Sequence, residues 1–317
     1  MRAFKVIIIL LSISTVFGCL FIPGESSELL HVTNWGYQLQ DASPSEIASA
    51  GFDLVVIDYS RDGSDEEMYS RADIEKIRSS GTIPIAYISI GEAEDYRFYW
   101  NPAWEHNPPA WLGHTNPDWE GDYKVRYWDP EWKKIIYSYL DRIVSQGFAG
   151  VYLDIVDAFE YWSDPENGES FHLTEKEAAN RMIQFVKEIA EYCRVSLGKP
   201  NFYIIPQNGE RILDYDTDHS FLNTISGIGI EDLFYDGLDP VPQEETSYRI
   251  GYLERIRKAG KPVLVVDYVD DGTGYTGSNK ARIDSFIAKC HTHGYVPYAA
   301  RSDRELDELN IIPRVQP

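Results

Sequence analysis

VLVVDY, residues 263–268, is nearly continuous in apolar residues and runs into an acid and a tyrosine. A strand with one wet face alternates apolar and polar side chains, so an unbroken apolar run marks a strand buried on both faces, as in a parallel sheet covered by helices. LVVID (54–58) and YIIPQ (203–207) have the same character. Outward from these, eight β-branched or aromatic runs recur, at 33–40, 54–60, 83–90, 150–156, 202–207, 227–230, 263–269 and 295–300. Helix-like segments follow most of them. Residues 43–51 open on Ser43, a helix-capping type, place Pro44 in the first turn and end on Gly51, and residues 129–147 repeat the pattern from Asp129 to Gly147. Further helices are expected at 71–80, 174–197, 243–259 and 278–293. Eight strand–helix units predict an α/β chain folded as a single (β/α)8 TIM barrel over residues 31–317. An open doubly wound sheet is the competing architecture. It ordinarily carries a glycine-rich phosphate loop after its first strand, whereas WGYQLQ (35–40) leads to Asp41 and Ser43 without one, so a nucleotide cofactor has no support.

One segment breaks the rhythm. Residues 92–128 repeat Trp, Tyr, Asn and Pro and read as a long aromatic insertion after strand 3, on the face where barrel loops carry function. At the other extreme, residues 1–18 join cationic Arg2 and Lys5 to an apolar run from Val6 to Phe17, a secretory signal too short for a comfortable membrane span. VFGC (16–19) resembles a lipobox. Cys19 is then either the lipidated residue that attaches the protein to a membrane or a cysteine near an ordinary cleavage site of a secreted chain, with residues 19–30 as a short linker. Cys193 and Cys290 fall in helical segments and lack CxxC or Cys/His spacing, which suggests neither a disulfide framework nor a zinc site.

The formal net charge is −22, and removal of residues 1–18 takes away two cations and no acid, leaving −24. Such a surface repels nucleic acid. It favours a neutral or cationic partner, although excess acid also keeps an extracellular protein soluble without naming any ligand. A monomer is expected.

Catalytic groups of barrels stand where strands end. Asp58 follows LVVI, Glu92 and Glu94 follow ISIG, Asp154 and Asp157 lie in VYLDIVD, Glu231 and Asp232 follow GIGI, Asp267 lies in VVDY, and Gln207 and Asn208 follow YIIP. Converging acids raise one another's pKa values, and a carboxyl with a raised pKa can donate a proton near neutral pH while a neighbour stays ionised. That division of labour suits glycoside hydrolysis. A single acid at a strand end is as often a cap or a buttress, so the collective pattern carries the weight. Trp35, Tyr37, Tyr87 and Tyr268 at or beside strand ends, with Trp100 in the insertion, offer flat rings for the C–H faces of sugars, and Trp35, Tyr87 and Trp100 are the preferred platforms. One aromatic taken alone belongs more often to a core.

A metal-dependent polysaccharide deacetylase would also use acids, but with histidines beside them. The seven histidines are dispersed, and His291 and His293 stand two apart, which on a helix does not face one metal. No GxSxG elbow is present. A non-catalytic carbohydrate-binding barrel is the other alternative class. No metal or cofactor is expected.

AYISIGEAEDYRFYW (86–100), NPDWEGDYKVRYWDPEWK (116–133), GVYLDIVDAFEYW (150–162), PQNG (206–209), GIGIEDLFY (227–235) and VLVVDY (263–268) together resemble glycoside hydrolase family 114, which contains endo-α-1,4-polygalactosaminidases. A cysteinyl-tRNA synthetase label carried by some relatives fits neither the missing nucleotide motif nor the charge. The resemblance implies a TIM barrel with an acidic pair at strands 4 and 6, matched here by Asp154 and Glu231. It implies a retaining mechanism with Asp154 as nucleophile and Glu231 as acid/base. Asp58, Glu92, Asp157, Gln207, Asn208 and Asp267 would hold hydroxyl or amino groups of a polysaccharide or oligosaccharide substrate.

Overall fold

A computed structural model describes residues 26–317; the expected signal, Cys19 and the first part of the linker lie outside them. Eight parallel strands follow one another in chain order: β1 (Trp35–Gln38), β2 (Leu54–Ile57), β3 (Ile83–Ser89), β4 (Gly150–Asp154), β5 (Tyr203–Pro206), β6 (Ile228–Glu231), β7 (Val263–Asp270) and β8 (Val296–Arg301). The first five form one continuous ladder and the last three another. A single parallel bridge between Gln207 and Gly229 and a 2.7 Å bond from Ser226 N–H to the Ile204 carbonyl link β5 to β6. On the other side the Trp35 indole donates to the Val296 carbonyl at 3.1 Å, joining β1 to β8. The result is a TIM-barrel-like α/β fold.

The helices sit where the capping residues put them. The helix Pro44–Ala50 starts at Ser43, whose hydroxyl accepts Glu46 N–H, and stops at Gly51 with φ 92°. The helix Pro130–Gln146 starts at Asp129, whose carboxylate accepts Glu131 N–H, and stops at Gly147 with φ 99°. Both stops use the left-handed backbone that glycine adopts without steric cost. Residues on one parity of each strand pack outward against such helices, as Val55, Ile57, Val151, Val265 and Val269 do. The other parity fills the interior with Leu54, Val56, Ile85, Tyr152, Ile205, Leu264 and Val266.

Aromatic rings form the interior floor. Trp35 is fully buried, with ring centroids 5.9 Å from Tyr37, 6.2 Å from Tyr152 and 5.7 Å from Tyr298. The floor leaves no room beside it at Gly229, where an added Cβ would stand 1.8 Å from Tyr152 Oη.

The segment after β3 is more ordered than a loop. Glu92–Glu94, Asp122–Val125 and Leu112–Thr115 pair antiparallel into a small sheet. Indoles fasten this insertion to the barrel: Trp100 meets Trp104 at 5.2 Å, Trp104 meets Trp111 at 5.0 Å, and Trp111 meets Trp132 of the helix Pro130–Gln146 at 5.1 Å.

Candidate active site

The interior parity that builds the floor also selects what reaches the top. The last inward positions are Tyr37 on β1, Asp58 just past β2, Tyr87 and Ser89 on β3, Asp154 on β4, Gln207 just past β5, Glu231 on β6 and Tyr268 on β7, and all of them line one cleft of about 580 Å³. Asp154 receives the Tyr87 hydroxyl on Oδ2 at 2.6 Å and the Ile155 N–H on Oδ1 at 2.8 Å. Glu231 receives the Tyr268 hydroxyl on Oε1 and the Gln207 amide N–H on Oε2. Tyr37 donates to Gln207 Oε1 at 3.0 Å, which turns the NH₂ of that amide toward Glu231. Each carboxylate thus has its own pair of donors.

Burial pushes Asp154 up to about 7, with the nearby Glu231 charge adding to it and the Tyr87 bond opposing it. Burial also raises Glu231, against the Tyr268 bond. Asp154 therefore exchanges its proton near neutral pH beside a second carboxyl, Glu231, that burial also raises.

Further acids crowd the pair. Burial raises Asp157 to about 7, helped by the Asp154 charge, and raises Asp122 to about 8, helped by Glu94 and Glu92. Neither Asp122 nor Asp157 makes a side-chain hydrogen bond among the described residues. Glu92 is paired with Lys124 and accepts Asn116 Nδ2 at 3.0 Å. Buried Arg97 bridges Asp58 at 2.5 Å and Glu94 at 2.7 Å. Even so, burial holds Asp58 up at about 6.

These shifts fix a pH dependence. A carboxyl whose pKa is higher folded than unfolded contributes stability below its unfolded pKa and loses it as pH climbs through the folded value. Asp58, Asp154, Asp157 and Asp122 rise from about 4 to values between about 6 and 8. Carboxyls such as Asp271, lowered to about 2, act only at more acid pH. The protein should therefore melt at higher temperature at pH 5 than at pH 8 at constant ionic strength. A flat or rising Tm across that interval in calorimetry contradicts the burial of these acids.

Three residues expected at the site stand elsewhere. Trp35 lies in the interior floor beneath Tyr37 and does not reach the cleft. Trp100 is turned into the insertion, its ring 4.6 Å from Tyr123. Asp267 has the outward parity of β7, opposite to Tyr268, and its carboxylate accepts the N–H groups of Leu233, Phe234 and Tyr235 at 2.9 Å each. Asp267 braces the turn after β6, and burial raises it to about 7 against those bonds. Tyr37, Asp58, Tyr87, Glu92, Asp154, Asp157, Gln207, Asn208, Glu231 and Tyr268 all line the cleft.

Trp119, one of the insertion's tryptophans, is 58% exposed and lines the rim of the cleft. Three contributors could not be expected from sequence. Asp122 comes from the insertion, whose sheet could not be inferred from its composition. Arg304 comes from the segment after β8, clamps Asp232 at 2.9 Å and lies 4.4 Å over the Tyr268 ring. Arg97 falls in DYRFYW (95–100), where no spacing marks it as a buried counter-charge.

The family model of glycoside-hydrolase family GH114 matches residues 24–316. An uncharacterized protein of Methanocaldococcus jannaschii is 58% identical over 276 residues, 87% of this chain and 78% of that one. Another, of Thermotoga maritima, is 47% identical over 310 residues, 98% of this chain and 93% of that one. Among solved structures, the glycoside hydrolase domain of Pseudomonas aeruginosa PelA superposes with a TM-score of 0.65 at 18% identity, covering 88% of this chain and 98% of that one. Aspergillus fumigatus Ega3, solved in complex with galactosamine, superposes with a TM-score of 0.62 at 19% identity over 88% of this chain and 94% of that one. At such identities these two likenesses concern the fold.

Proposed function

Since the chain belongs to glycoside-hydrolase family GH114, we propose that this glycosidase is an extracellular endo-enzyme that cleaves an α-linked, galactosamine-containing polysaccharide with retention. One observation carries the choice of substrate: the cleft is lined by eleven acidic residues and three arginines. Two of those arginines are already engaged, Arg97 by Asp58 and Glu94 and Arg304 by Asp232 and Asp236. A polymer bearing free 2-ammonium groups complements such a lining, and a low-dielectric cleft focuses that field. Asp122 and Asp157, which burial holds partly protonated, would ionise beside an incoming ammonium group. The galactosamine bound by Ega3 points the same way.

In the proposed reaction, Asp154 attacks the anomeric carbon while Glu231 protonates the departing glycosidic oxygen. Glu231 then deprotonates a water that attacks the same carbon, and Asp154 leaves. Tyr87 and the Ile155 N–H stabilise the Asp154 carboxylate, and an incoming ammonium favours its ionised form. Tyr268 and Gln207 aim Glu231.

The test is reducing-end release from one α-1,4-galactosamine polymer in two states, deacetylated and fully N-acetylated. Faster release from the deacetylated polymer is expected, and equal or faster release from the acetylated one rules out ammonium recognition.

A further inference from the structure

We infer that Arg249, outside the cleft, is a positioning residue that sets the aim of Glu231; the inference rests on Glu231 belonging to the catalytic pair. Arg249 lies on the helix Gln243–Lys258, which follows the strand carrying Glu231. Its guanidinium donates from Nη1 to the Glu231 carbonyl at 2.9 Å and to the Asp232 carbonyl at 3.2 Å. Nη2 donates to Asn208 Oδ1 at 3.2 Å, and Nε is anchored by Glu210 at 2.6 Å. The same Asn208 Oδ1 accepts the Glu231 N–H at 3.0 Å. Both backbone groups of Glu231 therefore end in one network, its N–H on Asn208 and its carbonyl on Arg249.

The backbone gives that network something to hold. Asn208 and Asp232 are left-handed, with φ 56° and 51°. A non-glycine residue in that region is strained and persists where its surroundings over-determine it. Asn208 is anchored in turn by its own N–H, 2.9 Å from the Gly229 carbonyl. These hydrogen bonds together fix the turn from which the Glu231 carboxyl projects to Tyr268 and Gln207. Arg249 acts through geometry: its guanidinium bonds the backbone carbonyl of Glu231, whereas the Glu231 carboxylate takes its bonds from Tyr268 and Gln207. Its side chain is 17% exposed and Glu210 is 8% exposed, so the anchor is largely shielded from solvent. A planar fork with several donors does what a lysine ammonium cannot reproduce.

Arg249→Lys keeps the charge and loses the fork. On whichever glycan the wild type cleaves, kcat should fall by roughly 10²-fold, the scale of a misaimed catalytic group, while KM stays within about twofold and the pH profile keeps its midpoints. Added guanidinium should restore part of the kcat of Arg249→Ala, and an equal concentration of sodium chloride should not. Asn208→Gly, which keeps access to positive φ and removes the shared acceptor, should reproduce the kcat loss if the arginine variants fail to fold. A folded Arg249→Lys with wild-type kcat, or a loss expressed in KM alone, overturns the clamp. Full activity in Glu231→Gln, or a wild type inactive on a broad glycan panel, overturns the catalytic pair beneath it and the clamp with it.

Discussion

Asp154→Asn should lose the first step, departure of the leaving group, on every glycoside, while Glu231→Gln should lose that step only on substrates with poor leaving groups. An amide cannot attack the anomeric carbon, so without the Asp154 carboxylate no intermediate forms whatever the leaving group. Glu231 serves first as acid, and an aryl group that departs as a stable anion does not need its proton. The expected losses on the natural polymer are roughly 10³–10⁴-fold for either change. With an activated aryl glycoside, Glu231→Gln should keep a rapid first burst of aryl release and then stall at the hydrolysis of the intermediate. Equal losses on both substrates in both variants would show that the roles are not divided in this way. The isosteric exchanges should not unfold the protein. Asp154 is raised to about 7 by burial and by Glu231, so its neutral replacement removes a repulsion and should raise Tm at pH 8 as activity disappears.

Arg97→Met should destabilise the protein by about 3–5 kcal/mol, the typical effect of leaving buried carboxylates without their partner. Arg97 is 4% exposed, and its guanidinium bonds at once to Asp58 from β2 and Glu94 from the insertion. Removal leaves two acids in a region where burial already raises Asp58 to about 6. Asp58 should then take up a proton more readily still, and the deficit should be smaller at pH 5 than at pH 8. Adding Asp58→Asn and Glu94→Gln should recover most of the loss, since replacing a whole buried ion cluster is often close to neutral. Denaturant unfolding at the two pH values measures this. A single variant within 1 kcal/mol of wild type would mean that the insertion is held by its indoles alone.

Much of this molecule could be read from its sequence. The eight apolar runs all became strands because parallel strands buried on both faces have little choice of composition, and Ser43, Asp129, Gly51 and Gly147 bounded their helices by local chemistry alone. The signal that separates site from scaffold was also present, in the parity of each strand. Leu54, Val56 and Asp58 share a face, as do Leu264, Val266 and Tyr268, so Asp58 reaches the cleft and Asp267 turns away from it. Trp35 shares the inward face with Tyr37 but stands two residues lower, about 7 Å along a strand, and so becomes floor.

What could not be read depends on pairings distant in sequence. Asp122 enters the cleft only because its strand pairs with Glu92–Glu94, and Arg304 only because the segment after β8 folds back over Tyr268. Arg249 is invisible for a further reason. It touches the backbone of Glu231, and no side-chain pattern records a carbonyl.

The most direct test of the central claim is reducing-end release from deacetylated α-1,4-galactosamine polymer by the wild type, Asp154→Asn and Glu231→Gln side by side, each first shown to fold. Turnover by the wild type and its loss in both variants is the expected result. Wild-type turnover that survives either substitution would contradict the pair.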